Sequence, residues 1–189
     1  RRVLFRSTTS PSRADWVWAD VVILVKHAAE KWGDELYLSK TMPVLWDVLD
    51  WWRQPEQNDV PVKILRRRIA YNRVRWFGTI IGATRAMAED ISGIYIPHHS
   101  RNGLTPGPIR DRASIVAYEG RPKYLGQWRE VIEQSCEKLG LQFVINPPDL
   151  RQADILVAFR GQKWDGSVCR RWKSGIKLVN AVAAGRPVI

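Results

Sequence analysis

WKSGIKLVNAVAAGRPVI (residues 172–189) carries an amphipathic helical pattern from Trp172 to Ala184, a break at Gly185, and the start of a strand at Pro187-Val188-Ile189. Helix, glycine stop and apolar strand in that order form one half of a β-α-β unit. The stretches before it repeat the alternation. Ser114–Tyr118 reads as a strand, Gly120–Lys123 as a loop, and Tyr124–Leu139 as a helix stopped by Gly140. Leu141–Ile145 is another strand, Pro147-Pro148 a turn, and Ile155–Phe159 a third strand. Strands separated by helices predict parallel sheets whose faces are covered by those helices.

The first half follows the same grammar. Ala19–Val25 is a continuous run rich in β-branched residues, expected to be a strand buried on both faces of a parallel sheet. A helix-compatible stretch covers Ala28–Leu38, and Met42–Asp50 reads as a strand with acidic residues at its end. Pro55, Asn58 and Pro61 mark a loop. Val62–Trp76 is a basic helix with Val62, Leu65, Ile69 and Trp76 near one face. A strand at Gly78–Ala83, a short helix capped by Thr84 and a strand at Ile94–Ile96 complete the half.

The expected fold is therefore α/β, with two Rossmann-like, doubly wound parallel-sheet domains. Residues 8–97 would form part of an N-terminal domain and residues 113–189 part of a C-terminal one, joined by a Gly/Pro-rich linker at 98–112. RRVLFRS (residues 1–7) matches the translation of a sequencing-library adapter end and is excluded from fold reasoning as an artefact. With no initial Met and a final residue inside a strand, the chain is expected to be a fragment truncated at both ends.

The charge is uneven. Residues 1–97 carry 15 basic and 11 acidic side chains and residues 98–189 carry 15 and 8, giving +4 and +7 of a total +11. Such a balance points to an anionic partner. Two cysteines without metal-ligand spacing, and three histidines with two adjacent, argue against a metal site. No apolar run approaches the roughly 20 residues of a membrane span, and no signal-peptide core is evident, so a cytoplasmic chain is expected.

In open parallel sheets, ligands gather where strands end and helices begin. Basic residues recur at those places: Arg121 and Lys123 beside Gly120, Arg160 and Lys163 after the next strand, and Arg170, Arg171, Lys173 and Ser174 before the last helix. Together with helix N–H groups, these side chains could clamp a diphosphate. A solvated basic face explains them equally well. GxGxxG, GxxxxGK[ST] and GxSxG fingerprints are all absent.

The closing stretch resembles the segment K-L-x-(E/N)-A-x-A-x-G-x-P-V-I of GT-B fold glycosyltransferases. VVILVK, MPVLWDVLDWW, TIIGATRAMAEDI, YIPHHS and SIVAYEGRPKYL resemble further pieces of that family in the expected order, over about residues 15–189. The resemblance implies metal-independent transfer of a sugar from a nucleotide-diphosphate sugar, with no cofactor. It implies donor-binding roles for Gly120, Arg121, Lys123, Arg160, Lys173, Ser174, Lys177 and Asn180. Many retaining members carry two glutamates eight residues apart, and here those positions hold Trp172 and Asn180. Donor identity and stereochemistry therefore stay open.

Candidate catalytic residues are Asp47, Asp50, His98 and His99, with His27 a further candidate; strand-end capping or hinge hydrogen bonds explain them as well. The acceptor would be a glycan, a lipid-linked sugar or a small molecule. Lys63, Arg66, Arg67, Arg68, Arg73 and Arg75 on one helix suit either plain solvation or peripheral contact with an anionic membrane, at its inner face. Two alternatives remain: a basic nucleic-acid-binding domain, which leaves the strand-helix alternation unexplained, and a sugar-nucleotide epimerase of similar fold. No specific nucleic acid is expected under the leading reading.

Overall fold

The β-branched run of the first half does form a strand, β1 (Val22–Val25), in a computed structural model that describes residues 19–27, 43–76 and 79–189 together with residues 8, 12, 14 and 15. The stretches read as artefact (residues 1–7) and as a helix at Ala28–Leu38 lie outside the described residues. The chain is mixed α/β with parallel sheets of four and three strands, and it divides into two compact units. Residues 1–51 and 63–95 form the first unit, and residues 52–62 and 96–189 form the second.

In the first unit, β1, β2 (Val44–Asp47), β3 (Thr79–Gly82) and β4 (Ile94–Tyr95) pair in sequence order, all parallel. That order contains no reversal among the described strands. Helix α1 (Val62–Trp76) joins β2 to β3 and buries Leu65 and Ile69, four residues apart on one helical face. Helix α2 (Arg85–Ile91) starts where expected: Thr84 Oγ1 accepts the Met87 N–H at 3.1 Å. Trp46 of β2 is fully buried, and its indole N–H donates to the Lys26 carbonyl at 2.9 Å. Truncating such a ring costs about 3–5 kcal/mol.

In the second unit, β5 (Ile115–Tyr118) lies between β6 (Gln142–Ile145) and β7 (Ile155–Val157), all parallel. Val188 adds a parallel bridge to Leu156 on the far side of β7, so the expected closing strand is present as a short pairing. Alternate β5 residues feed two cores. Val116 and Tyr118 pack with Leu125, Ile132 and Cys136, the last two from helix α3 (Trp128–Lys138). Ala117 packs with Leu150, Ala181 and Ala184 on the other face. Gly140, at φ +66°, closes α3 as the sequence suggested.

The expected helix Trp172–Ala184 is in fact two. Helix α4 (Ser167–Trp172) ends at Lys173, whose backbone is extended, and α5 (Ile176–Ala183) begins after Gly175. Gly and Ser at 174–175 are poor helix formers, and the buried Trp172 fixes the first piece independently. Residues 52–62, read as a loop, belong to the second unit. There Asn58, 1% exposed, accepts from the Trp52 indole (3.1 Å) and the Cys169 thiol (3.2 Å), and its carbonyl accepts the Val168 N–H at 2.8 Å.

The stretch 98–112 packs against the rest of the second unit. Arg186 donates to the Pro108 carbonyl at 2.8 Å, and Gly107 N–H donates to the Ala184 carbonyl at 3.0 Å. Arg110 and the N–H groups of Ser114 and Ile115 all bond the Asp154 carboxylate, at 3.2, 2.8 and 2.9 Å. Burial pushes the Asp154 pKa up, but these donors outweigh it and leave the group below its ordinary value.

Candidate functional site

The chain steps from β5 to β6 in one direction and then crosses back past β5 to β7, so the direction of winding reverses between β5 and β7. Beyond the carboxyl ends of two such strands a crevice opens, which is the usual ligand position in parallel sheets. Tyr118-Glu119-Gly120 leaves β5 there, and Arg160 follows β7 by three residues.

Gly120 stands at φ +141°, a conformation that suits only glycine. Its N–H donates to Asn146 Oδ1 at 2.7 Å, and its carbonyl accepts from Asn146 Nδ2 at 3.0 Å. Asn146 follows β6 and is itself left-handed, at φ 52°. A Cβ at position 120 would lie 3.2 Å from the Tyr118 hydroxyl and 3.3 Å from Lys177 Nζ. Glycine thus lets the backbone at 120 pack closely against those two groups, where a side chain would crowd them.

Lys177 comes from the first turn of α5, where a cation opposes the helix dipole and no side chain caps the free N–H groups. Its Nζ lies 3.6 Å from the centroid of the Tyr118 ring. The ammonium nitrogen and the Tyr118 hydroxyl are both buried, and neither hydrogen-bonds a described residue. Burial, together with the nearby Arg160 and opposed by Glu119, lowers the Lys177 pKa from 10.5 to about 7, and Lys173 adds to the shift. Burial also raises the Tyr118 pKa, against the pull of Arg160. An unpaired buried polar group is costly, so the pair is poised to accept a ligand that would satisfy it.

The next layer is a bonded network. Asn180, 2% exposed, donates through Nδ2 to both oxygens of Glu119, at 3.1 and 3.0 Å, and accepts the Arg101 N–H at 3.0 Å. The Arg101 guanidinium closes the network as an ion pair with Glu119. Ser174 Oγ lies 2.6 Å from His98 Nδ1, which ties the α4–α5 break to the chain entering the unit.

The sequence-predicted residues are thus partly gathered. Gly120, Lys177, Arg160 and Lys173 lie near one another, and Asn180 lies behind them through Glu119. Lys123 is drawn away, its Nζ 5.2 Å from the Trp164 ring centroid and 5.9 Å from that of Tyr124. Arg121 is exposed, and its side chain has no hydrogen-bond or ion-pair partner among the described residues. Arg160 donates to the Trp164 carbonyl at 3.2 Å. His99 is exposed, with Nδ1 2.6 Å from the Ser100 carbonyl. Asp47, Asp50 and His27 belong to the first unit, where the Asp50 carboxylate is 4.0 Å from Lys26 Nζ.

Tyr118, Glu119, Arg101 and Asn146 were not singled out from sequence. Only Asn146 carried a local signal, since Asn tolerates the left-handed backbone better than most residues. Among the described residues, no group of His, Cys, Asp or Glu could hold a metal ion, and no helix is long and apolar enough to cross a membrane. No protein-family model matches the chain, and no curated protein matches it significantly.

Proposed function

We propose that the second unit binds the donor of a glycosyl transfer, a nucleotide-diphosphate sugar, at the mouth of β5 and β7. The reading keeps the GT-B-like, Rossmann-type arrangement suggested by the sequence, and rests chiefly on Lys177. Its buried ammonium hydrogen-bonds no described residue, lies against the Gly120 backbone, and stands near Arg160 and Lys173. A diphosphate there would satisfy Lys177, accept from the Tyr118 hydroxyl, and meet the open N-terminus of α5.

During transfer, negative charge grows on the departing nucleotide diphosphate. Fixed cations and N–H groups in a buried setting stabilise that charge without a metal ion. Arrival of the diphosphate would also return Lys177 to its charged form, so binding above pH 7 draws a proton into the site.

Calorimetry with UDP-, GDP- and ADP-sugars, in two buffers of different ionisation enthalpy near pH 8, tests the reading. One donor is expected to bind with proton uptake. Lys177→Ala should weaken it about tenfold or more and remove the uptake, a loss on the scale of one charged hydrogen bond. Failure of all three donors to bind would overturn the proposal.

A further inference from the structure

The first unit carries a cleft of its own. Trp51, in the turn after β2, and Arg67, Arg68, Tyr71 and Asn72 of α1 line a cleft of about 390 Å³. The helix presents these four as i, i+4 pairs, Arg67 with Tyr71 and Arg68 with Asn72, so they form one continuous face. We infer that this cleft binds a phosphomonoester carrying a flat apolar body.

Each lining group supplies a part. Arg67 and Arg68 are exposed and have no ion-pair partner among the described residues, and α1 contains no acidic side chain at all. Paired guanidinium groups suit the two negative charges and fixed oxygen geometry of a monoester. Asn72 lines the cleft, and its side chain hydrogen-bonds no described residue. Its amide is free to meet an ester or hydroxyl oxygen. Trp51 is 7% exposed and held edge-on by Trp46 at 5.7 Å, whereas Tyr71 is 64% exposed. The open Tyr71 ring can stack on a flat group, with Trp51 as part of the cleft wall. A merely solvated basic helix accounts for the arginines but not for an exposed tyrosine ring at a cleft that Trp51 also lines. The size is that of a small-molecule pocket, and two arginines fit one phosphate better than a nucleic-acid track.

The phosphate could belong to a soluble ester or to a lipid headgroup, and one experiment separates them. The full chain is titrated with phenyl phosphate and inorganic phosphate by saturation-transfer NMR and calorimetry. Vesicles of phosphatidylcholine with and without phosphatidic acid then serve as competitors. Phenyl phosphate should bind at least fivefold tighter than inorganic phosphate. Arg67→Ala and Arg68→Ala should each weaken it about tenfold, with Arg66→Ala, a neighbour outside the cleft, within twofold of the parent. All three changes are on the surface, and matching thermal unfolding would confirm that the variants fold. Displacement by phosphatidic acid assigns the site to a headgroup and its absence to a soluble ester, and both uphold the cleft. Lack of saturable binding would overturn the inference. So would an Arg66→Ala loss equal to the Arg67→Ala loss, or RNA binding tighter than phenyl phosphate that depends equally on all three arginines.

Discussion

The Asn180 amide donates to both carboxylate oxygens of Glu119, at 3.1 and 3.0 Å, from a position 61 residues away in the chain. A carboxylate from the loop after β5 thus reaches the α5 face, held there by Asn180 and Arg101.

Asn180→Asp should therefore damage the second unit. The new carboxylate would face Glu119 at a position only 2% exposed, and would no longer supply the amide donors. Two buried like charges cannot both remain ionised cheaply. A stability loss of about 2–4 kcal/mol is expected near pH 7.5. Since the repulsion raises the pKa of one carboxyl, the deficit should shrink as the pH falls toward about 5 and that group takes up a proton. Urea unfolding at the two pH values checks it; an equal deficit at both would show that charge repulsion is not the cause.

Lys177 predicts the opposite trade. Its pKa falls from 10.5 to about 7 on folding, so between those values the unfolded chain holds the extra proton. Stability rises with pH across that window and is flat below it, where the lysine is charged in both states. Lys177→Met removes this contribution. The variant should be more stable than the parent by about 0.5–2 kcal/mol at pH 7, as happens when a strained functional group is relaxed. The advantage should fade as the pH nears 10. Parallel stability curves for the two proteins across that range would reject the buried-charge account.

How much of this was legible follows from sequence separation. β1, α2 with its Thr84 cap, and the Gly140 stop depend on near neighbours, and period and capping chemistry reveal them. Gly120 was marked by its place at a strand end, and Lys177 only by the resemblance of the closing stretch. The Glu119–Asn180–Arg101 network joins residues 18 to 79 positions apart, and nothing local to any one of them requires it. The docking of Asn58 onto α4 is similar, spanning over a hundred residues to Cys169. The split between α4 and α5 was misread because Trp172 and Ile176 keep a helical spacing across it. Burial of Trp172 and the extended backbone at Lys173 decide the matter, and both are tertiary facts.

Gly120 separates the shape of the site from its charge. Gly120→Ala must place a Cβ 3.2 Å from the Tyr118 hydroxyl and 3.3 Å from Lys177 Nζ, on a backbone at φ +141°. The backbone strain costs about 1–3 kcal/mol, and the methyl group crowds the lysine and the Tyr118 hydroxyl. Asn146→Ala is the companion variant. It removes both hydrogen bonds that hold Gly120, at 2.7 and 3.0 Å, yet adds no atom beside Lys177. Similar losses of stability are expected from the two, about 1–3 kcal/mol, measured by chemical denaturation. Binding of the nucleotide-sugar should differ: nearly abolished in Gly120→Ala and weakened only several-fold in Asn146→Ala. Equal binding in the two variants would mean that the ligand does not occupy the space beside Lys177, since only one of them blocks it.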